Sequence, residues 1–168
     1  MAGGVPLLLE WCNRISATSL STVIRESDWW FNIIETVHVI FTTLMVGTIL
    51  VVDLRLLGIV LCREPASRVV QAVVPWTWAG LAIMGTSGLL LFISEAAQAY
   101  DNVAFRIKLV LLLAAGVNAL LFHTTIYRAV GEWDTRLPTP GRARTAGALS
   151  VALWTAVIVC GRTIAYFH

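Results

Sequence analysis

Apolar residues divide the chain into four long segments separated by short polar stretches. These segments comprise residues 29–61, 73–95, 105–128 and 144–167. Each is long enough for an α-helix to cross the roughly 30 Å hydrocarbon core of a bilayer. A spanning helix also satisfies its own backbone hydrogen bonds, which lipid cannot do. The pattern predicts an all-α integral membrane bundle of four transmembrane helices.

A weaker amphipathic pattern precedes the first apolar segment, in residues 6–26. Four apolar residues recur there at helical spacing, with polar residues between them: Leu8, Trp11, Cys12 and Ile15. A short apolar face of this kind is typical of a helix that lies in the membrane interface. We therefore predict an N-terminal interfacial helix and treat residues 1–168 as a single membrane domain.

Composition supports a membrane protein and excludes several other classes. Hydrophobic residues make up 58% of the chain and charged residues 13%, against about 25% charged in a soluble domain. The net charge of +2 and the dispersed arginines do not indicate nucleic-acid binding. The lipid bilayer is the expected partner, and a homo-oligomer or a partner in a membrane complex remains open.

Known chemical motifs are absent from the sequence. Cys12, Cys62 and Cys160 are far apart and form no C-x-x-C pair, so no metal site is predicted. The sequence has no G-x-S-x-G motif, Walker loop or dinucleotide glycine pattern. We therefore assign no catalytic residue, and an enzyme is not indicated.

Basic residues predict the orientation in the membrane. Seven of the twelve flank the first and third connections between spans, and five lie elsewhere. The positive-inside rule then places both arginine-rich connections in the cytoplasm and both termini outside. In the inner membrane of a bacterium, outside is the periplasm.

The first apolar segment carries the most informative polar residues. Six of its positions fall within a narrow angular sector of a helix: Glu35, His38, Thr42, Val46, Ile49 and Asp53. Ionisable side chains are costly in lipid and normally face a bundle interior or water. The sector is therefore predicted to face the other helices.

Threading the four helices in this orientation predicts two polar layers. The outer layer comprises Glu35, His38, Arg162 and Tyr166, and the inner layer Asp53, Arg55, His123 and Tyr127. Arg162 can either extend to the surface or turn inward and pair with Glu35. The layers can also be purely structural, holding the helices in register, and the sequence does not separate these interpretations.

Neighbouring helices carry glycines and other small residues that predict packing faces. In the second segment, a helix start at Pro75 is followed by a face containing Gly85 and Gly88. In the third, Gly116, Ala119, His123 and Tyr127 share a face, which we expect to contact another helix. Asn118 lies elsewhere and is a candidate for a hydrogen bond to a neighbouring helix.

A b-type haem held by His38 and His123 is the sharpest cofactor hypothesis, since paired histidines in a small bundle commonly bind haem. The two residues are predicted to lie roughly 18 Å apart along the membrane normal, at 1.5 Å per residue. One iron cannot bind both. No cofactor is therefore predicted, and haem b is kept only as an alternative.

Three short motifs resemble those of a known family. They are residues 24–29 (IRESDW), 35–39 (ETVHV) and 52–58 (VDLRLLG). Further matches are residues 75–80 (PWTWAG), 105–108 (FRIK) and 118–123 (NALLFH). Together they resemble an uncharacterised family of small bacterial multi-pass membrane proteins, a domain of unknown function. The resemblance implies an inner-membrane helical bundle and no activity.

Three function classes remain. Proton-linked transport or permeation would use Glu35 and His38 as titrating groups, with Asp53 and His123 continuing the path. A redox subunit would use the histidines for haem, or the tryptophans around a quinone. A non-catalytic accessory subunit would use the polar layers only to hold helices together. We take the first as the working hypothesis, and an absorption spectrum separates it from the haem alternative.

Overall fold

The computed structural model describes residues 7–27 and 29–164. Within those ranges, helices joined by turns and loops are the only regular secondary structure. The α-helices are α1 (Leu7–Ser16), α2 (Ser19–Glu26), α3 (Trp30–Leu57), α4 (Ala66–Ser94), α5 (Ala96–Asp101), α6 (Val103–Leu121) and α7 (Gly141–Thr163). α6 continues through a π-helical turn and a 3₁₀ turn to Glu132. Four helical stretches are long and apolar enough to cross a membrane: Trp30–Leu57, Ala66–Ser94, Val103–Glu132 and Gly141–Thr163. The predicted all-α class with four spans is confirmed.

The long helices are arranged around α3. It packs against α4 on one side and against α7 on the other, and α6 packs against α7. α4 and α6 meet where the rings of Phe92 and Phe105 stack with their centroids 5.7 Å apart. In each of these four helical stretches, only 11–22% of an 18-residue apolar segment is buried within the structure. Since the remaining apolar surface is costly in water, it belongs in contact with lipid.

Close backbone contact joins α3 to α4. Met45 is almost fully buried, and a Cβ placed on Gly80 would lie 2.9 Å from the Met45 Cβ. Beside this contact, the Thr77 hydroxyl donates to the Thr48 hydroxyl at 2.8 Å. The contact face agrees with the sequence prediction only in part, because Gly88 lies against His38 on α3 whereas Gly85 is exposed with no atom near its Cβ position.

The start of α4 also differs from the prediction. The helix begins at Ala66, and Pro75 lies inside it. The reason is a cap supplied from a distant loop: the Asp134 carbonyl accepts from the Ala66 amide at 3.0 Å. The Asp134 carboxylate accepts from the Ser67 amide at 2.7 Å and from the Ser67 hydroxyl at 2.6 Å. These bonds satisfy donors that the first turn of a helix otherwise leaves unpaired.

A buried arginine connects the same loop to α3. Arg55 is 1% exposed; its Nε donates to the Glu64 carbonyl at 2.8 Å, and its Nη2 donates to the Asp134 carbonyl at 3.3 Å. Around it lies a core cluster of Leu56, Ala66, Phe122, Trp133 and Ala143. The connections between α3 and α4 and between α6 and α7 therefore meet at one end of the bundle.

The N-terminal segment forms two helices where the sequence predicted one over residues 6–26. Thr18 caps α2, with its hydroxyl accepting from the Ser21 amide at 3.4 Å. The fully buried Ser21 hydroxyl donates to the Ser94 carbonyl at 3.2 Å, and Ser16 accepts from the Ala97 amide at 3.1 Å. α1 and α2 are thus attached to the bundle at the end of α4. Their location in the membrane interface stays a prediction.

The Gly80 contact can be tested by adding a methyl group. Gly80→Ala would place a Cβ 2.9 Å from Met45 Cβ and 3.2 Å from its backbone. The helices must then separate, which we expect to lower the free energy of unfolding by about 1–3 kcal/mol. Gly85→Ala, which meets nothing within 4 Å, should be neutral or stabilising because alanine favours the helix by about 1 kcal/mol. Unfolding in detergent measures both, and equal effects would contradict the packing.

The Asp134 cap predicts acid-sensitive stability. Burial raises the pKa of this carboxyl, but the two bonds from Ser67, the Arg55 charge and the Ala66 amide together hold its pKa below the ordinary value. The ionised form is therefore the form that stabilises the fold. Its contribution is complete above the ordinary pKa of about 4 and is lost as the pH falls through the lowered value.

We expect Asp134→Ala to cost about 1 kcal/mol at pH 7, the usual value of a helix cap. Asp134→Asn, which keeps the size but cannot ionise, should show a smaller loss of thermal stability between pH 7 and pH 3 than the wild type. Asp101→Asn changes an exposed carboxylate and serves as the control. An unchanged acid sensitivity in Asp134→Asn would show that the cap does not depend on charge.

The orientation predicted from the basic residues can be refined with the structure. Arg55 is buried, and Lys108 is partly buried in the bundle, so neither counts as a loop charge. Six basic residues then remain near the first and third connections, against four elsewhere, so the predicted orientation is unchanged. Reporter fusions at Gly141 and at the C-terminus should report opposite sides, with Gly141 in the cytoplasm. Fusions on the same side would refute the topology.

Candidate functional site

The polar face of α3 enters the bundle at His38 and continues to Asp53. His38, Thr42, Val46 and Ile49 are partly buried, and Asp53 is 5% exposed. His38 contacts α4 and Asp53 lies against α7, in the direction that the angular sector predicted. Glu35, one turn earlier, is exposed. The interior part of the polar face is therefore shorter than the sequence indicates, and Glu35 lies at its rim.

The imidazole of His38 lies in a notch on α4. Its Nδ1 is 3.0 Å from the Met84 carbonyl and 3.1 Å from the Ser87 hydroxyl. A Cβ on Gly88 would lie 2.9 Å from the His38 Cε1, so a glycine is required for the ring to fit. A carbonyl oxygen can only accept, so Nδ1 carries a proton. In the neutral ring, the lone pair is then on Nε2.

Lys108 also lies in this part of the bundle, although it is not among the residues of the predicted outer layer. The side chain is partly buried, and its Nζ lies 3.6 Å from the Cβ position of Gly161 on α7. Both Lys108 and Glu35 act electrostatically on the His38 ring. Helical spacing could have found Lys108, because it lies seven residues before the buried Ala115 and so on the same face of α6.

Asp53 forms a second polar site nearer the other end of α3. Its carboxylate lies beside the Ser150 side chain on α7. Gly147 lets the helices approach, since a Cβ there would lie 3.2 Å from the Asp53 carbonyl. Two buried oxygens on this face, Asp53 Oδ2 and Thr42 Oγ1, have no hydrogen-bond partner within residues 7–27 and 29–164.

His123 does not join an inner polar layer, because its side chain is exposed. The interior face of α6 contains Ala115, Asn118 and Phe122, and Asn118 Nδ2 donates to the Ala146 carbonyl on α7 at 3.1 Å. This face is rotated by roughly 100° from the predicted face of small residues, at 3.6 residues per turn. The hydrogen bond from Asn118 to a neighbouring helix is present as the sequence suggested.

A π-helical turn explains how His123 and Tyr127 separate. In an α-helix these residues, four apart, would share a face. The turn spans Phe122–Ile126, and the Tyr127 amide donates to the Phe122 carbonyl, five residues back. Tyr127 therefore packs beside the core with Phe122. His123 is exposed and meets the Phe122 and Tyr127 rings edge-on, with centroids 5.3 Å and 5.6 Å apart.

The other predicted site residues are placed as follows. Arg55 is committed to the loop carbonyls described above. Arg162 and Glu35 are both exposed, and their pairing stays a prediction. Tyr166 lies outside the described residues.

The interior of the bundle thus contains two polar sites separated by a packed layer, in which Met45 lies against Gly80 and the Thr77 hydroxyl donates to the Thr48 hydroxyl. The outer site is formed by His38, Ser87 and Lys108, and the inner site by Asp53 and Ser150. From Thr42 to Asp53 is roughly 16 Å along α3 at 1.5 Å per residue, and the buried Met45 lies between them. Across the described part of the chain, no three His, Cys, Asp or Glu side chains are grouped so as to hold a metal ion.

Comparisons with known proteins give one result. No curated protein and no solved structure matches the chain. The model of a family of unknown function, DUF6644, matches residues 21–167. This match covers all four membrane-spanning helices and the polar residues of both sites. The chain belongs to this family of unknown function, DUF6644.

Proposed function

We propose that the protein carries protons across the membrane along the interior face of α3, alone or together with a solute. His38 would accept or release the proton at the outer end, and Asp53 at the inner end. This proposal keeps the proton-linked role inferred from the sequence. It removes His123 from the path, because that side chain is exposed.

The observation that carries the proposal is the pair of buried oxygens without a partner. Thr42 Oγ1 lies one helical turn from His38, and Asp53 Oδ2 lies at the inner site. A buried polar group without a hydrogen bond costs about 1–3 kcal/mol. Water molecules that enter from either end would satisfy both oxygens. A histidine and a carboxylate in contact with such water are typical of proton relays in membrane proteins.

The hydrogen bonds of His38 suit a proton-transfer role. The Met84 carbonyl holds the proton on Nδ1 at 3.0 Å, which orients the ring and leaves Nε2 to bind and release the transferred proton. Lys108 and Glu35 both act on this ring. Because Lys108 is positive and Glu35 is negative, a movement of either side chain or of a solute would change how readily His38 binds a proton.

The packed layer around Met45 favours a carrier over an open channel. Met45 packs against Gly80 with almost no exposure, and neighbouring Val46 and Ile49 are partly buried. The Thr48 and Thr77 hydroxyls in this layer bond to each other at 2.8 Å, so we infer that the layer does not hold a continuous file of water between His38 and Asp53. Proton passage would therefore require α3 and α4 to move relative to each other, as in carriers that open to one side at a time.

Proton flux into proteoliposomes tests the proposal. The wild-type protein, reconstituted with a trapped pH-sensitive dye and an imposed pH gradient, should accelerate proton entry over protein-free vesicles. His38→Gln and Asp53→Asn each keep a hydrogen-bonding side chain of similar size but cannot carry the proton. We expect both variants to reduce the flux to the level of empty vesicles while leaving thermal stability in detergent close to wild type.

Two matched variants control for general effects of the substitutions. His123→Gln changes an exposed histidine, and Asp101→Asn changes an exposed aspartate, so both should conduct as the wild type does. Wild-type flux in folded His38→Gln and Asp53→Asn would refute the proposal. The polar sites would then serve only to hold the helices together.

A further inference from the structure

A second candidate site lies away from the α3 polar face, at the end of the bundle where the two arginine-containing connections meet. It is an open cleft of about 430 Å³. The end of α3 forms one wall, and the chain leading into α7 forms the other. The residues that line it are Leu57, Gly58, Leu137, Pro138, Thr139 and Arg144.

The cleft presents one cation, and one unsatisfied hydroxyl is buried in its wall. Arg144 is exposed on the first turns of α7, so its guanidinium is available to a ligand. Thr139 is 4% exposed, and its Oγ1 is buried without a hydrogen-bond partner within the described residues. A buried hydroxyl without a partner is costly, and rotation of the Thr139 side chain would bring it to a ligand in the cleft.

Electrostatics at this end favour an anion. α7 begins at Gly141 after Pro140, whose side chain does not cap the helix, so the positive end of the helix dipole remains beside the cleft. No carboxylate lines the cleft. Guanidinium groups, hydroxyls and helix amino ends together are the usual ligands of a phosphate group.

The remaining lining is apolar and suits the part of a phospholipid next to its phosphate. Leu57 and Pro138 line the cleft, and Leu137 is 49% exposed beside them. The cleft also lies where α3 ends and α7 begins, which is the level of the lipid headgroups for helices that span the bilayer. Basic pockets at the ends of transmembrane helices are known to take anionic headgroups.

We propose that this cleft binds a phosphate group, with Arg144 and Thr139 as its ligands, and that its source is the headgroup of an anionic phospholipid. A soluble phosphate compound has the same chemistry at the polar end. It lacks the glycerol and acyl groups that would cover Leu57, Leu137 and Pro138. The site is independent of the proposed proton path, and either proposal can fail without the other.

The test uses the full chain in detergent after removal of lipid. Phosphatidylglycerol, diacylglycerol with the same acyl chains, and inorganic phosphate are each titrated while the thermal unfolding midpoint is recorded. We expect phosphatidylglycerol alone to raise the midpoint. Equal stabilisation by inorganic phosphate would overturn the lipid source, and stabilisation by diacylglycerol to the same extent would overturn the phosphate site.

Substitutions identify the ligands. Arg144→Gln should weaken phosphatidylglycerol binding about five-fold, the usual effect of one basic residue near a membrane surface. Arg142→Gln, in the same turn of α7 but not lining the cleft, should leave binding close to wild type. Equal losses in the two variants would show an effect of net charge and overturn the site.

Thr139→Val separates a ligand from a structural hydroxyl. Replacing an unpaired buried hydroxyl by a methyl group of the same shape should leave the lipid-free midpoint unchanged or higher. Binding of phosphatidylglycerol should nevertheless weaken if the hydroxyl bonds to the phosphate. Wild-type binding in Thr139→Val would remove Thr139 from the site and overturn the proposal as stated.

Discussion

A buried guanidinium joins three parts of the chain that are distant in sequence. Arg55 on α3 donates to the carbonyls of Glu64 and Asp134, and Asp134 in turn caps α4. Burying a charge is costly unless it is hydrogen-bonded, and removing one partner is strongly destabilising. Because main-chain carbonyls accept these bonds, Arg55 determines where both loops lie. The start of α4 and the core around Trp133 depend on this arrangement.

The contact between α3 and α4 combines close packing with polar chemistry. Gly80 and Gly88 allow the two helices to approach, the first against Met45 and the second against the His38 ring. Membrane helices associate through such small residues and through hydrogen bonds between helices, since lipid offers no hydrophobic drive for association. The same features that hold α4 against α3 therefore orient His38 and close the packed layer around Met45. A movement of α4 would affect packing and protonation together.

Helical periodicity was sufficient for the direction of His38 and Asp53 on α3, because one continuous helix keeps its angular order, but not for Glu35, which shares their sector and is exposed. It was not sufficient for α6. The small residues Gly116 and Ala119 suggested one contact face. The side chain that hydrogen-bonds to α7 is Asn118, so the face that contacts α7 is the one that carries Asn118. The π-helical turn after Leu121 then separates His123 from Tyr127. In this segment the Thr124 and Thr125 hydroxyls donate to the Leu120 and Leu121 carbonyls, and hydrogen bonds of this kind often bend a helix.

The sequence by itself determined the fold class, the four spans and the inward direction of His38 and Asp53. These follow from segment length, from apolar content and from the cost of charge in lipid, all of which are local properties. Only the tertiary structure decided the start of α4, the partners of Arg55, the partial burial of Lys108 against α7 and the exposure of His123. Each of these depends on a contact between segments remote in sequence, such as the Asp134 cap that makes Ala66 a better helix start than Pro75.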